Sequence, residues 1–245
     1  MGREDTAVRA RTLCPTLSPV DEPPRTILLR RPPEIRLVEG RFVPRVDLAE
    51  VERRWEALVA ANPRYFDGSL VQVLGVRRNG HGGVTVHGMP VSYRFYAVQR
   101  TGLDTGVRVL GAKALARNGH RYLMGRRSSS VAFYPEEWEF LPGGGIEPGV
   151  TPAETVRREF GEETGFRPVT PPRAVALLYD PIAFSWEVIH EVEVEPHDGG
   201  PSEAWEHHDR IEAGPGEWPL PLCDIARRMA ELIDPSARDA TRPFG

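Results

Sequence analysis

At 245 residues with a formal net charge of −4, the chain has room for one medium domain with a smaller one before it, and its charge gives no general attraction for polyanions, so no nucleic acid partner is expected. Hydrophobic residues make up 40% and charged residues 27%, as in ordinary globular proteins; no apolar run approaches the roughly 20 residues of a membrane span, and the first residues lack a signal-peptide core, so no membrane partner and a cytoplasmic location are expected. Cys14 and Cys223 stand far apart, which resembles neither a disulfide framework nor a metal knuckle, and Lys113 is the only lysine among 31 basic residues.

Residues 1–34 are rich in proline and arginine with little periodicity, which predicts an extended or disordered lead-in with "TILL" as a short edge strand. "DLAEVERRWEALVAAN" predicts the first helix: Asp47 and Glu50 stand in capping-box positions, and Leu48, Val51, Trp55, Leu58 and Val59 form one apolar stripe. Asn62 and Pro63 end it. "SLVQVLGVRRNGHGGVTVHG" reads as two strands around a glycine-rich turn, and "VSYRFYAVQRTG" suits either a strand or a short helix. "VRVLGAKALARNGHRYLMGRR" predicts a hairpin turning at Asn118 and Gly119, and "EWEFLPGG" a short strand. A helix over about Pro152 to Thr164 follows, with Gly165 as a left-handed stop. "RAVALLYD" and "FSWEVIHEVEVEP" look paired, "HDGGPSEAWEHHDRIEAGPGEW" reads as a polar loop, and "LCDIARRMAELI" as a last helix. Strands and helices mix without regular alternation, so the class is α+β.

The helix after the glycine turn carries the chemistry. At about 100° per residue, Glu159, Glu162 and Glu163 share one edge, beside an apolar stripe of Ala153, Val156 and Phe160. Like charges at this spacing repel, and a cation among them would remove that cost. Hard carboxylate oxygens suit Mg²⁺ or Mn²⁺, which keep waters and bridge to phosphates. Arg158 can pair with and orient Glu159.

Gly144, Arg158, Glu159, Phe160, Glu162, Glu163, Gly165 and Phe166 match the spacing G-x5-E-x7-R-E-U-x-E-E-x-G-U, which resembles the Nudix box. The resemblance covers about Val107 to Ile233 and implies an α/β/α sandwich over 106–245. It also implies Glu159, Glu162 and Glu163 as catalytic residues that hold Mg²⁺ (or Mn²⁺) with the Gly143 carbonyl, Arg158 orienting Glu159, and hydrolysis of a nucleoside diphosphate linked to another moiety. A further base often comes from a later loop in such enzymes. Glu203, Glu206, Glu212, His207 and His208 are the candidates, and Arg126 and Arg127 are candidates for diphosphate contact. The departure is Val150, which stands where the pattern has its first glutamate and can neither bind a cation nor accept a hydrogen bond; Glu147 is the nearest substitute.

Residues 35–105 form an expected small α+β domain. Their order of elements is similar to the N-terminal domain of UDP-glucose and UDP-galactose pyrophosphatases within the same family, which implies a nucleotide-sugar substrate. Trp55, Tyr65, Phe66, Tyr93, Phe95 and Tyr96 then supply mostly core, with one or two stacking on a base and Arg94 or Arg100 near phosphates. Apolar strands there are compatible with a homodimer. The alternatives are an ADP-ribose-type pyrophosphatase and a nucleotide-sensing module weakened at Val150.

Overall fold

The computed structural model describes residues 23–202 and 205–235; most of the lead-in, Cys14 and Glu203 lie outside them. Among the described residues twelve strands belong to one sheet, and its main path runs β1 (Arg25–Leu28), β10 (Arg173–Asp180), β11 (Ser185–Pro196), β5 (Val109–Asn118), β3 (Ser69–Arg78), β4 (Val84–Ser92), β2 (Glu34–Leu37). β6 (Arg121–Arg127) pairs with β5, with β7 (Trp138–Phe140) and with β12 (His207–Ala213), while β8 (Gly143–Gly145) pairs with β5 and β9 (Phe166–Pro168) with β11. β11 and β5 run parallel, with Glu187 opposite Gly111 and Ile189 opposite Lys113. The expected edge strand is present as β1, antiparallel to β10.

Helices cover the two faces of the sheet, because successive strand residues point to opposite sides. Leu110, Ala112, Ala114 and Ala116 of β5 pack in one cluster with Val156 and Phe160 of α3 (Pro152–Glu163). Leu115, Ile189 and Phe140 pack in another with Ile225, Met229 and Ala230 of α4 (Asp224–Ile233). Val156 and Phe160 are fully buried and contribute about 1.5–3 kcal/mol each relative to exposure. This is the α/β/α arrangement of an α+β chain. The segment before it has a cluster of its own, Val51, Trp55 and Leu58 of α1 (Leu48–Ala61) against Val91, Phe95 and Val98. It also joins the sheet directly: Val73 N–H donates to the Arg108 carbonyl at 2.7 Å and Val71 N–H to that of Ile146 at 3.0 Å.

Several local expectations are corrected. Asp47 does cap α1, accepting from Ala49 N–H at 3.0 Å, but the Glu50 carboxylate is drawn to Arg53 and Arg54, and Leu48 is 48% exposed, outside the buried stripe. Of the strand and the short helix left open for "VSYRFYAVQRTG", "YRFYA" takes the helix, α2 (Tyr93–Ala97), running into a 3-10 turn. The hairpin turns on Gly119 and His120, one residue later than expected, since Asn118 pairs with Arg121. α3 ends without a left-handed glycine: Thr164 is extended, and both its N–H and its hydroxyl donate to the Phe160 carbonyl. The expected polar loop contains β12, which pairs with β6 from His207 opposite Arg127 to Ala213 opposite Tyr122. β2, parallel to β4, is a further unforeseen strand.

Candidate active site

α3 is started by its own sequence. Thr151 accepts from Glu154 N–H at 3.2 Å while the Glu154 carboxylate takes Thr151 N–H at 2.8 Å, a reciprocal capping box followed by Pro152 in the first turn. The helix so fixed turns Val156 and Phe160 into the core and carries its acidic edge past β8. Glu163 accepts Gly143 N–H at 2.9 Å. Glu159 lies against Gly144, where a Cβ would stand 2.0 Å from its Oε1, so only glycine permits the approach. Arg158 donates to Glu159 at 2.8 Å and to Glu162 at 3.3 and 3.4 Å. The orientation of Glu159 by Arg158 is therefore built in.

The electrostatics of this edge are those of crowded, partly desolvated acids. Burial pushes Glu159 up to about 8, against the pull of Arg158 and with the help of Glu162. Burial, then Glu206 and Glu159, push Glu163 well above the ordinary carboxylate range. Burial also raises Glu206. A divalent cation would relieve each of these.

Beside them stands a second charged group. Glu139, 3% exposed, accepts from Lys113 Nζ at 2.6 Å, from Arg127 and from His207 Nε2 at 2.8 Å. Burial alone would raise the Glu139 carboxyl, but Arg127 and Lys113, with the His207 bond, hold it well below its ordinary range. The same carboxylate keeps Lys113 charged against its own burial. The sole lysine and one arginine are thus held in place as cations, each with donors left over for a ligand.

These groups meet in a cleft of about 350 Å³. One wall carries Glu159, Glu162, Glu163 and Arg158; the floor is the β5 face at Gly111 and Lys113; Arg127 and Glu206 stand alongside, and Tyr93 and Tyr96 come from the front segment. The sequence-derived residues Glu159, Glu162, Glu163, Arg158, Gly143, Arg127 and Glu206 are all brought together here. Arg126 is not: it points away and pairs with Glu136 at 3.2 Å, as expected of the neighbour on the opposite strand face. Arg94 is engaged by Glu52 and Asp67, Arg100 by Tyr65, Glu212 by Asn118, and His208 lies near Glu136, none of them lining the cleft. His207 serves Glu139. Val150 lines a separate, mainly apolar hollow of about 260 Å³ with Pro33, Ile35 and Leu37, and Glu147 reaches Arg158 only at 4.0 Å.

Sequence reasoning missed Lys113, Glu139, Asp180 and Glu187, all cleft residues. The available signals were a lone lysine among arginines and charged residues within apolar strands.

The acidic edge suits a hard divalent cation in its donor chemistry. Among the described residues, no three His, Cys, Asp or Glu side chains converge into a ready metal cage, and Arg158 spans Glu159 and Glu162. Such a set suits an ion that retains water and shares its remaining positions with phosphate oxygens, as Mg²⁺ does.

Residues 107–217 match the family model for the NUDIX domain. The chain is similar to a nucleoside triphosphatase NudI of Enterobacter sp. (strain 638), 42% identical over 53 residues, covering 22% of this chain and 37% of that protein. It is similar also to an RNA pyrophosphohydrolase of Rhizobium meliloti (strain 1021), 42% identical over 65 residues, covering 26% and 37%. The matched stretches thus span 37% of the length of these curated relatives. A MutT NUDIX hydrolase structure from Burkholderia pseudomallei aligns with 21% identity and a TM-score of 0.42, over 50% of this chain and 95% of that one. No helix among the described residues is long and apolar enough to cross a membrane.

Proposed function

Taking residues 107–217 as a NUDIX domain, we propose that the chain is a Mg²⁺- or Mn²⁺-dependent pyrophosphohydrolase of a nucleoside diphosphate joined to a second moiety, in the first place a nucleotide sugar. Water attacks one phosphorus, the P–O–P bridge breaks, and a nucleoside monophosphate and a sugar phosphate leave. The observation that carries this reading is the meeting, in one cleft, of the α3 carboxylates with Lys113 and Arg127: acids for a cation on one side, cations for a diphosphate on the other.

Glu159, Glu162, Glu163 and Gly143 would hold the metal, which when bound polarises phosphoryl oxygens and acidifies water. The rest falls to the chain. Arg158 fixes the directions of Glu159 and Glu162. Lys113 and Arg127, fixed by Glu139, bind and orient the diphosphate. Glu206, half-buried at the cleft wall with its carboxyl raised by desolvation, accepts the proton of the attacking water. Tyr93 and Tyr96 close the mouth from the front segment.

The test is turnover of UDP-glucose, GDP-glucose, ADP-ribose and nucleoside triphosphates with Mg²⁺ or Mn²⁺, with Glu162→Gln as control. Metal-dependent release of nucleoside monophosphate, reduced in Glu162→Gln, is expected; turnover that Glu162→Gln leaves intact overturns the metal assignment. Val150 supports a second reading, a nucleotide sensor, which predicts tight binding of these compounds with none consumed.

A further inference from the structure

Beyond the metal-facing set and Glu139, two further carboxylates lie buried in the cleft, and their surroundings differ. Asp180 is satisfied: it takes two contacts from the Tyr134 hydroxyl at 2.8 and 2.9 Å and the amides of Ile182 and Ala183 at 2.9 and 3.0 Å. It ties a loop. Glu187, 8% exposed, has far less. Burial raises its carboxyl to about 7, against the pull of Lys113 on the next strand and of the neighbouring Ser185 hydroxyl. A carboxylate has about four acceptor positions, so Glu187 keeps unmet capacity, and it lines the cleft.

The sheet beneath makes room for that group. Glu187 stands opposite Gly111, where a Cβ would lie 2.2 Å from Oε2, so the floor is bare under the carboxylate. Gly111 in turn faces Gly145 of β8. The Glu187 carboxylate thus lies over β5, on the same sheet face as Lys113 and one strand from the turn against which α3 sets its acids. The adjoining wall is aromatic, with ring centroids of Tyr93 and Tyr96 6.0 Å apart and of Tyr96 and Phe133 5.6 Å apart; all three rings line the cleft. Such a wall favours a flat ligand ring.

We propose that Glu187 reads the nucleobase, accepting paired N–H donors from its Watson–Crick edge, and so selects guanine over uracil. Guanine offers a ring N–H and an adjacent amino group, two donors side by side that match two carboxylate oxygens. Uracil offers one N–H flanked by two carbonyl oxygens, which a carboxylate repels. Adenine and cytosine each present one amino group beside a ring acceptor. The inference rests on the pyrophosphohydrolase reading above and departs from the uridine preference that the front segment's resemblance implies.

The test compares kcat/KM for GDP-, IDP-, UDP- and ADP-glucose in wild type, Glu187→Gln and Glu187→Asp, with thermal unfolding as the check on folding. Expected are GDP-glucose at least ~10-fold above UDP-glucose, and IDP-glucose, which lacks the amino group, at least ~10-fold below GDP-glucose, because a site built around a donor rejects the analogue without it. In Glu187→Gln the guanine advantage collapses, mainly through KM. Equal kcat/KM across bases in wild type, or an unchanged preference in a folded Glu187→Gln, overturns the proposal; so does a preference that follows the sugar and ignores the base. If no nucleotide sugar is consumed, the enzymatic reading fails separately, and calorimetric titration with GMP, IMP and UMP decides. GMP at least ~10-fold tighter in wild type and not in Glu187→Gln upholds the base assignment, and equal or undetectable binding removes it.

Discussion

Replacing Glu139 by Gln preserves side-chain shape and removes the charge on which three neighbours converge. Lys113 and Arg127 have side chains only 13% and 16% exposed, so the substitution leaves two desolvated cations without the carboxylate that pairs with both. Breaking a buried pair from one side costs about 3–5 kcal/mol; the amide oxygen still accepts one bond, which favours about 3 kcal/mol. Unfolding entropy of about 2.1 cal/mol/K per residue then converts that figure into a Tm lower by about 6 °C for a chain of 245 residues. Calorimetry or circular dichroism on wild type, Glu139→Gln, Lys113→Met and the double variant measures it. The double variant should recover at least about 1 kcal/mol relative to additivity, since removing Lys113 relieves one orphaned charge. A Tm within about 2 °C of wild type, or strict additivity, would show that the Glu139 group carries no such interaction, and the account of how the cleft cations are held would be wrong.

The acids of α3 should make the metal-free protein sensitive to pH. Glu159, raised by burial to about 8, and Glu163, raised likewise, bind more protons folded than unfolded above the ordinary carboxylate range, so their contribution to stability falls as pH rises from about 5 to about 8. The Tm of Glu159→Gln minus that of wild type should climb over that window, and Mn²⁺ should raise the wild-type Tm more at its upper end; a difference flat with pH contradicts this. Gly144→Ala, which forces a methyl group to within 2.0 Å of Glu159 Oε1, should abolish the rise in Tm caused by Mn²⁺ while the far-ultraviolet spectrum stays native; an undiminished rise refutes the close-approach argument. Arg127→Lys, replacing a fork held by Glu139 with a point charge, should lower kcat/KM for the preferred nucleotide sugar at least ~10-fold by steady-state kinetics, whereas Arg126→Ala should change it less than ~2-fold. Equal effects would mean that the cleft does not extend as described.

Much of the acidic edge was legible because helical periodicity is rigid. Once Thr151 and Pro152 start a helix, Glu159, Glu162 and Glu163 must share a side, and Arg158 must lie within reach. The hairpin of β5 and β6 was equally local, although its turn lies at Gly119 and His120, one residue past the expected Asn118 and Gly119. What stayed hidden depends on pairing between distant strands. Nothing near Lys113 announces Glu139, 26 positions on, and Glu187 gains meaning only when β11 lies beside β5 with Gly111 beneath its carboxylate. β12 was read as a loop because "HHDRIEA" is polar, yet as the partner of β6 it needs only backbone groups, and the register shift after His207 lets His207 and Ala213 be buried on opposite faces of the sheet. Gly165 misled for a related reason: a side-chain hydroxyl at Thr164 did what a left-handed glycine usually does.

The most direct measurement is ³¹P NMR of a nucleotide sugar incubated with the protein at fixed Mg²⁺, repeated with excess EDTA and with Glu162→Gln. Loss of the two diphosphate resonances with matched growth of nucleoside monophosphate and sugar phosphate signals, halted by EDTA and strongly slowed in the variant, is the predicted result. Persistence of the diphosphate signals with Mg²⁺ and Mn²⁺ alike, or cleavage indifferent to both EDTA and Glu162→Gln, would contradict the claim that the acidic edge of α3 works on a pyrophosphate through a divalent ion.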